Sequence, residues 1–194
     1  MLIKDDFEVP QPVDKVWAFF QDIPQVAACL PGAELNEEVG PDKYAGKVGI
    51  RMGPVKMEFA GQAEVRERDE ANRTIVVDAA GADEKGRGTA ALGLTARLVP
   101  LGSGTRVEVE QSLLLSGAAA QYGRGMIADV SAVLLKDFAG NMQARLDAID
   151  RGLSPDQVAA ARPAGGFAIA IQAALMALKR VAGRFFLPYQ PNRT

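Results

Sequence analysis

The stretch "KYAGKVGIRMGPVKMEFAGQAEVR", residues 43–66, alternates apolar and charged residues with a period of two on both sides of Gly53 and Pro54. One face of the alternation carries Tyr44, Val48, Ile50, Met52, Val55, Met57, Phe59, Ala63 and Val65. The other face carries Lys43, Lys47, Arg51, Lys56, Glu58, Gln62, Glu64 and Arg66. Successive side chains of a β-strand point to opposite faces of the sheet. The stretch therefore predicts two antiparallel strands that turn at the Gly-Pro pair, with one apolar and one polar face.

The same two-residue period continues on both sides of this hairpin. Further strands are predicted at 2–9, 74–80, 88–99 and 105–115, and the later ones are joined by the short turns "DEKGRG" and "PLGSGT". The glycine-containing "GRGTAALG" lacks the spacing and the strand-to-helix context of a phosphate loop, so it is interpreted as a hairpin that enters a strand. Because every connection is short, the pattern predicts an antiparallel meander.

Other segments have the helical period instead. The segment "QPVDKVWAFFQD" predicts a first helix with the apolar positions Val13, Val16, Trp17 and Phe20, and a second short helix follows over 23–30. A long helix over 120–150 presents the apolar stripe Tyr122, Met126, Val130, Val133, Leu134, Phe138, Met142 and Ile149. The predicted fold is α+β: a curved antiparallel sheet wrapped around one long C-terminal helix, with two short helices after the first strand.

The apolar face of the predicted sheet mixes small and large side chains. The small ones are Gly61, Ala63, Ala79, Ala90 and Ala96. Small residues on a concave face leave a volume that a ligand can occupy, or that Met126, Phe138 and Met142 of the long helix can fill. The residues predicted to line a ligand cavity are Met57, Phe59, Leu92, Leu94, Val109, Gln111, Tyr122, Met126, Val130 and Leu134. Gln111 and Tyr122 can each donate a hydrogen bond to a ligand carbonyl, unless the backbone satisfies Gln111.

Composition excludes several classes of enzyme. The chain has no histidine and one cysteine, Cys29, which removes the usual general base, the usual zinc ligands and any internal disulfide. Carboxylate pairs such as Asp5 and Asp6 place at least one member on a polar face, which favours solvation over acid-base catalysis. We therefore expect no catalytic residue, no metal site and no acid that faces inward. Trp17 and Cys29 are expected in the core.

Charge is distributed unevenly along the chain. Residues 152–194 contain five basic residues and one acid, which leaves 17 basic and 23 acidic residues in 1–151. The net charge is thus −6 for the body and +4 for the tail. An acidic body is unsuited to nucleic acid, whereas a basic tail suits an anionic surface. The first residues show no signal-peptide pattern, which predicts an intracellular protein.

The sequence divides into a body, 1–151, a Pro/Gly/Ala-rich hinge with a short capped helix, 152–166, and a tail, 167–194. From Phe167 to Leu178, twelve residues carry one polar side chain. As a helix these residues extend ~18 Å, well short of the ~30 Å hydrocarbon core of a bilayer. A transmembrane span is therefore the weaker interpretation of the tail.

Helical winding of the tail separates its apolar residues from its basic ones. The predicted membrane-binding residues are Phe167, Ile171, Leu175, Leu178, Phe185 and Phe186 on one side, with Lys179, Arg180 and Arg184 on the other. This pattern is typical of a helix that lies in the membrane interface, where basic residues meet anionic headgroups. Docking on a partner protein and packing on its own body are the alternatives.

Several stretches carry a family resemblance: "VWAFFQDIPQVAACLPGAE" (16–34), "YAGKVGIRMGPVKMEFAGQAEV" (44–65), "GTRVEVEQSLLLSGAAAQYGRGMI" (104–127) and "FAGNMQARL" (138–146). Together they resemble the CoxG subunit of carbon monoxide dehydrogenase, a family of the helix-grip, START-like superfamily (SRPBCC, polyketide cyclase/dehydrase). The resemblance implies a non-catalytic helix-grip domain that associates with the molybdenum-copper carbon monoxide dehydrogenase and recruits it to the membrane. It also implies an apolar cavity for a lipophilic ligand such as a respiratory quinone, menaquinone or ubiquinone, with no covalent cofactor.

These expectations combine into two hypotheses of different kinds. In the first, the body carries a quinone between the sheet and the long helix, and the tail holds it at the inner face of the cell membrane as a peripheral cytoplasmic protein. In the second, the protein is a recruitment adaptor for the dehydrogenase, with a filled core and no ligand. A cyclase-like enzyme is disfavoured by the missing histidine and by the expected lack of an inward acid.

Overall fold

The computed structural model describes residues 1–52 and 55–154. Within them, seven strands form one antiparallel sheet in the order β1-β7-β6-β5-β4-β3-β2. The strands are β1 Leu2–Val9, β2 Ala33–Gly40, β3 Lys43–Met52, β4 Val55–Asp69, β5 Thr74–Asp83, β6 Thr89–Leu101 and β7 Gly104–Leu115. The predicted meander is confirmed from β3 to β7, the unpredicted β2 extends it at one edge, and β1 returns to pair with β7. The predicted turn at Gly53 and Pro54 lies outside the described residues.

Helices connect the first two strands and follow the last one. In the described part of the chain, α1, Val13–Gln21, and α2, Ile23–Cys29, lie between β1 and β2. A 3-10 helix, Gly117–Gln121, follows β7 and leads into α3, Arg124–Asp150. With 27 residues, α3 extends ~40 Å. The predicted α+β architecture is confirmed, although the long helix begins later than predicted because the 3-10 helix occupies the start of that segment.

The sequence pattern does not predict strand β2. Its sequence, "AELNEEVG", has six consecutive exposed residues, so the alternation that marks a half-buried strand is missing. It is an edge strand that pairs with β3 through two register shifts. The chain enters it through Gly32, which has a φ of +77° and whose added Cβ would lie 2.4 Å from the Gly49 carbonyl oxygen. Glycine is required at this entry. The strand conformation of β2 is set by its pairing with β3 and is not indicated by its own sequence.

The central strands β4 and β5 approach each other closely through a glycine pair. Gly61 pairs with Gly81, and a Cβ on Gly61 would lie 2.0 Å from the Ala80 carbonyl oxygen. A register shift between Val65 and Glu67 adds a bulge to β4. Close backbone approach and a bulge both increase the local bending of a sheet. These features allow the sheet to curve around α3.

Two separate clusters of buried residues form the core beneath the concave face. The first cluster, at α1 and α2, consists of Val9, Val16, Trp17, Phe19, Phe20, Cys29, Val65, Ile75, Ala96, Leu98, Val107, Val109, Met142 and Leu146. The second cluster, near the start of α3, consists of Met52, Met57, Phe59, Ala119, Val130 and Val133. Trp17 and Cys29 lie in the first cluster, which confirms their predicted core position. The concave face therefore has two packed ends.

Helix α3 does not bury the whole of its predicted stripe. Met142 is fully buried as predicted, but Met126 and Ile149 are 45% and 41% exposed, so the stripe is wrong at both ends. The helix packs on α2 as well as on the sheet, and there Asn141 Nδ2 donates a hydrogen bond to the Cys29 carbonyl oxygen at 2.9 Å. Because α3 has these two neighbours, its buried face does not follow a single line along the helix.

No helix within residues 1–52 and 55–154 combines the length and the apolar character needed to cross a membrane. The hinge from residue 155 onward and the tail residues predicted to bind a membrane, 167–186, lie outside the described residues. The interfacial tail helix therefore stays a prediction from the sequence.

Candidate functional site

The concave face has an accessible region between the two clusters. The inward positions there are Ile3, Ala63, Ala79, Leu92 and Leu113. None of these five described residues belongs to either cluster, and each is partly exposed although it points to the concave side. A side chain beneath a closely packed helix would be buried, as the cluster residues are. We call this region the gap, and it is the candidate ligand site.

One hydrogen bond connects the sheet and the helix at the gap. Ser131 of α3 donates from Oγ to Oε1 of Gln111 in β7, at 3.2 Å. Gln111 faces inward, as its strand position predicts, but a helix hydroxyl rather than the backbone engages its carbonyl oxygen. A glutamine side chain has one acceptor oxygen and two N–H donors. The bond to Ser131 therefore fixes the amide while leaving its N–H groups available to a ligand.

The structure distributes the predicted lining residues over the clusters and the gap. At the second cluster lie Met57, Phe59, Tyr122, Val130 and Leu134. At the first cluster lie Leu94 and Val109. Leu92 lies in the gap, and Gln111 borders it. Met126 is 45% exposed in the first turn of α3 and belongs to neither cluster, so its role as a lining residue stays a prediction. Tyr122 precedes α3 instead of beginning it, because the chain there leaves the 3-10 helix in an extended conformation.

The prediction that no acid faces inward is wrong. Asp5 occupies the same face of β1 as Phe7 and Val9, which belong to or pack on the first cluster, and it pairs in register with the buried Val109. The alternation of "LIKDDFEV" carries this signal, since it places Asp5 on the apolar face and Asp6 on the polar one. The inward position of Asp5 is missed when Asp5 and Asp6 are interpreted together as one solvated pair.

A second inward acid, Asp83 at the end of β5, has a structural role. Its side chain is fully buried and accepts two hydrogen bonds from Arg87, from Nε and Nη2, each at 2.7 Å. It also accepts a hydrogen bond from the Glu58 backbone N–H at 3.2 Å, while Arg87 donates to the Lys56 carbonyl oxygen at 2.8 Å. The hydrogen bonds from Arg87 hold the pKa of the Asp83 carboxyl well below its usual range. The pair ties the β5–β6 turn to β4, and a carboxylate with this many donors is unsuited to proton transfer.

The other reactive side chain, Cys29, is also inert. It is fully buried, and burial raises the pKa of its thiol to about 11. Its Sγ donates to the Gln25 carbonyl oxygen at 3.3 Å. A thiol with a raised pKa forms little of the reactive thiolate. Among the described residues there is also no group of three or more Cys, Asp or Glu side chains that could hold a metal ion.

The opposite, outer face of the sheet carries ion pairs together with some exposed apolar residues. Cross-strand ion pairs such as Lys4–Glu110 and Arg97–Glu108 cover much of this face. Next to them lies an open groove of about 460 Å³, whose lining includes the apolar Ala80, Ala91 and Leu114 and the charged Lys43, Glu64 and Asp78. Ala63, Ala79 and Leu92, which also belong to the gap, contribute to this lining. Leu114 on this face is 73% exposed, so the predicted polar face includes an apolar position here. This groove lies across the sheet from the gap.

The sequence matches the model of a protein family over residues 6–147, from β1 almost to the end of α3; that model describes the CoxG subunit of carbon monoxide dehydrogenase. The chain belongs to the CoxG family. No curated protein matches it significantly. The CoxG match covers both clusters, Gln111 and every gap residue except Ile3; it begins within β1 and ends before the hinge.

Solved structures show that this CoxG chain has the START-like, helix-grip fold. A conserved protein from Geobacillus kaustophilus is 23% identical, with a TM-score of 0.68, and the match covers 76% of this chain and 95% of that one. The Zhui aromatase/cyclase from Streptomyces sp. R1128 is 15% identical, with a TM-score of 0.56 and coverages of 78% and 96%. A START superfamily protein from Mycobacterium smegmatis is 15% identical, with a TM-score of 0.53 and coverages of 76% and 98%. Family and fold together support a helix-grip protein that binds a lipophilic ligand.

Proposed function

We propose that the protein binds a respiratory quinone in the gap and couples the molybdenum-copper carbon monoxide dehydrogenase to the quinone pool of the membrane. The observation that carries the proposal is the gap itself, where apolar inward side chains remain accessible between two packed clusters. Membership of the CoxG family supports the dehydrogenase as the partner. In this role the protein transports or presents the quinone, and the dehydrogenase performs the redox chemistry.

The residues around the gap fit a quinone. Leu92 and Leu113 of the central strands and Ile3 of β1 offer apolar surface to a ring and an isoprenoid chain. The amide N–H groups of Gln111, held by Ser131, can donate to a quinone carbonyl. A mostly apolar site with a few fixed polar groups is the usual design of a small-molecule pocket, in which the polar groups set the orientation. Quinone bound here would be oriented by Gln111 and shielded from water by the helix.

The direct experiment is to purify the full-length protein with its native membranes and to analyse its lipid extract by mass spectrometry. We expect a quinone in the extract, about one per protein chain, and the side-chain length and ring type will distinguish menaquinone from ubiquinone. Native mass spectrometry of the same sample should show the corresponding increase in mass. Repeated isolation of the protein without any quinone, from cells that contain it, would contradict the proposal.

An adaptor without a ligand is the second candidate, and one observation favours it. The ring of Phe138 contacts Phe7 and Phe20, with centroids 5.9 and 6.5 Å apart, so side chains already fill the concave face at the first cluster. If side chains fill the gap in the same way, no ligand is needed. The fold is also that of an aromatase/cyclase, and turnover of an aromatic polyketide by the purified protein would favour an enzyme instead.

The tail supplies the membrane contact in this proposal. Replacing Lys179, Arg180 and Arg184 together by glutamine should weaken binding to anionic vesicles, because each basic residue near the headgroups contributes about 1 kcal/mol. The total of about 3 kcal/mol corresponds to roughly a 100-fold lower partition coefficient. Co-sedimentation of the full-length protein with phosphatidylglycerol vesicles measures this effect.

A matched control for the tail is Arg162→Gln, which removes one charge from the hinge and leaves the sequence of the predicted amphipathic segment unchanged. We expect it to change the partition coefficient by less than about fivefold, the effect of a single charge. Sedimentation of the triple variant to the same extent as the unmodified protein would contradict the membrane-binding tail. Raising the salt concentration should reduce the difference between them, since the headgroup attraction is screened.

A further inference from the structure

Asp5 differs from every other acid of its strand in where it points and in what surrounds it. On the outer face, Asp6 and Glu8 both lie beside Arg106, with oxygen-nitrogen distances of 3.8 and 3.0 Å. Asp5 faces the concave side instead, and within the described residues no lysine or arginine forms an ion pair with it. Its Oδ1 accepts a hydrogen bond from the Asp6 backbone N–H at 2.9 Å. The remaining acceptor positions of this carboxylate are available at the edge of the gap.

Asp5 and Gln111 are diagonal neighbours on the same face of the sheet. In the register of β1 and β7, Asp5 pairs with Val109 and Ile3 pairs with Gln111. Diagonal neighbours on one face of an antiparallel pair have Cα atoms roughly 7–8 Å apart, within reach of a shared third atom between two polar side chains. Since Ser131 occupies the Gln111 carbonyl oxygen, the glutamine presents its N–H groups. The gap is therefore bordered by an acceptor, Asp5, close to a donor, Gln111.

This acceptor and this donor distinguish a hydroxyl from a carbonyl. A hydroxyl oxygen can accept a hydrogen bond from Gln111 and donate its own hydrogen to Asp5. A carbonyl oxygen accepts only, so beside an ionised carboxylate it leaves two acceptors facing each other without a hydrogen between them. Hydrogen bonds to charged groups are about twice as strong as those between neutral groups. The arrangement therefore favours a ligand whose polar end carries a hydroxyl group.

We propose that Asp5 makes the gap selective for the reduced, dihydroxy form of a quinone over its oxidised, dicarbonyl form. This inference rests on the proposed quinone site and adds the redox state that the site prefers. We expect the quinol to bind at least about tenfold more tightly than the quinone. By linkage, a tenfold preference raises the two-electron potential of the bound quinone by about 30 mV. The bound quinone then accepts electrons more readily than the free one.

The test measures two affinities on the full-length protein under anaerobic conditions. The probes are ubiquinone-1 and its chemically reduced quinol, titrated separately while the intrinsic fluorescence of the protein is recorded. In the unmodified protein the quinol should bind at least about tenfold more tightly. Asp5→Asn should bring the ratio of the two affinities close to one, because an amide can donate to a carbonyl as well as accept from a hydroxyl. Asp5→Glu, which retains the carboxylate, should keep the preference for the quinol.

The matched control is Asp6→Asn, one residue along the same strand but on the outer face, which should leave the affinity ratio unchanged. Urea unfolding of each variant verifies that the fold is retained. An unchanged ratio in Asp5→Asn, with both probes still bound, would overturn this inference and leave the proposed quinone site standing. Failure of the unmodified protein to bind either probe would overturn both.

Discussion

Replacing Met142 by alanine should lower the free energy of unfolding by about 2–5 kcal/mol, the usual range for truncating a fully buried large side chain. Met142 is fully buried in the first cluster, where α3 packs against the sheet and the short helices. The substitution removes a thioether chain that the cluster cannot easily replace, because close-packed interiors relax only partially around a cavity. Equilibrium unfolding in urea, followed by the circular dichroism of the helix, measures the loss.

The matched variant on the same helix is Met126→Ala. Met126 is 45% exposed in the first turn of α3, so the same chemical change should alter the free energy of unfolding by no more than about 0.5 kcal/mol. The pair of variants distinguishes the observed packing of α3 from the single stripe predicted from the sequence. Equal destabilisation by the two substitutions would show that the first turn of α3 is packed and that the description of its exposed start is incorrect.

Ala79→Phe should remove quinone from the purified protein, with the quinone content falling at least about tenfold. Ala79 faces the concave side, pairs with Ala63 and Leu92, and belongs to neither cluster. A phenyl ring at this position enters the gap and occupies the space that the ligand needs. The same substitution at Ala96 would be a less specific test. Ala96 is buried in the first cluster, so a larger side chain there would overpack the core and destabilise the fold.

The control for this variant is Ala80→Phe, which places the same ring on the next residue of β5 and therefore on the outer face of the sheet. It should leave the quinone content unchanged. In cells, Ala79→Phe should also uncouple carbon monoxide oxidation from the respiratory chain while the dehydrogenase stays at the membrane. Normal coupling in Ala79→Phe, with no quinone in the protein, would favour the adaptor over the quinone carrier.

Predictions from the sequence succeeded where one face of an element is buried against a single neighbour. Strands β3 to β7 follow from alternation, because a half-buried strand must place its apolar residues on one side. Helix α1 was predicted in the same way from the helical period of its apolar residues, and two of them, Val16 and Trp17, are buried in the core. Strand β2 could not be predicted, since an exposed edge strand has no buried face to leave a pattern.

The candidate site was predictable only in part. The inward register of Leu92 and Gln111 follows from the strand pattern, but the bond from Ser131 to Gln111 depends on how α3 lies over the sheet. The exposure of Met126 has the same origin, because helical periodicity defines a face of the helix without saying which part of that face meets a neighbour. The inward position of Asp5 is within reach of the sequence, but interpreting two adjacent aspartates as one solvated pair conceals it.

The sequence by itself determined the meander, the helices, the family resemblance and the separation of an acidic body from a basic tail, because each of these is a local pattern or a composition. The tertiary structure alone decided that the core divides into two clusters with an accessible gap between them. That division arises where strands far apart in the chain curve beneath one long helix. Whether the space beneath a helix is filled depends on the distance between the elements, and side-chain periodicity does not encode that distance.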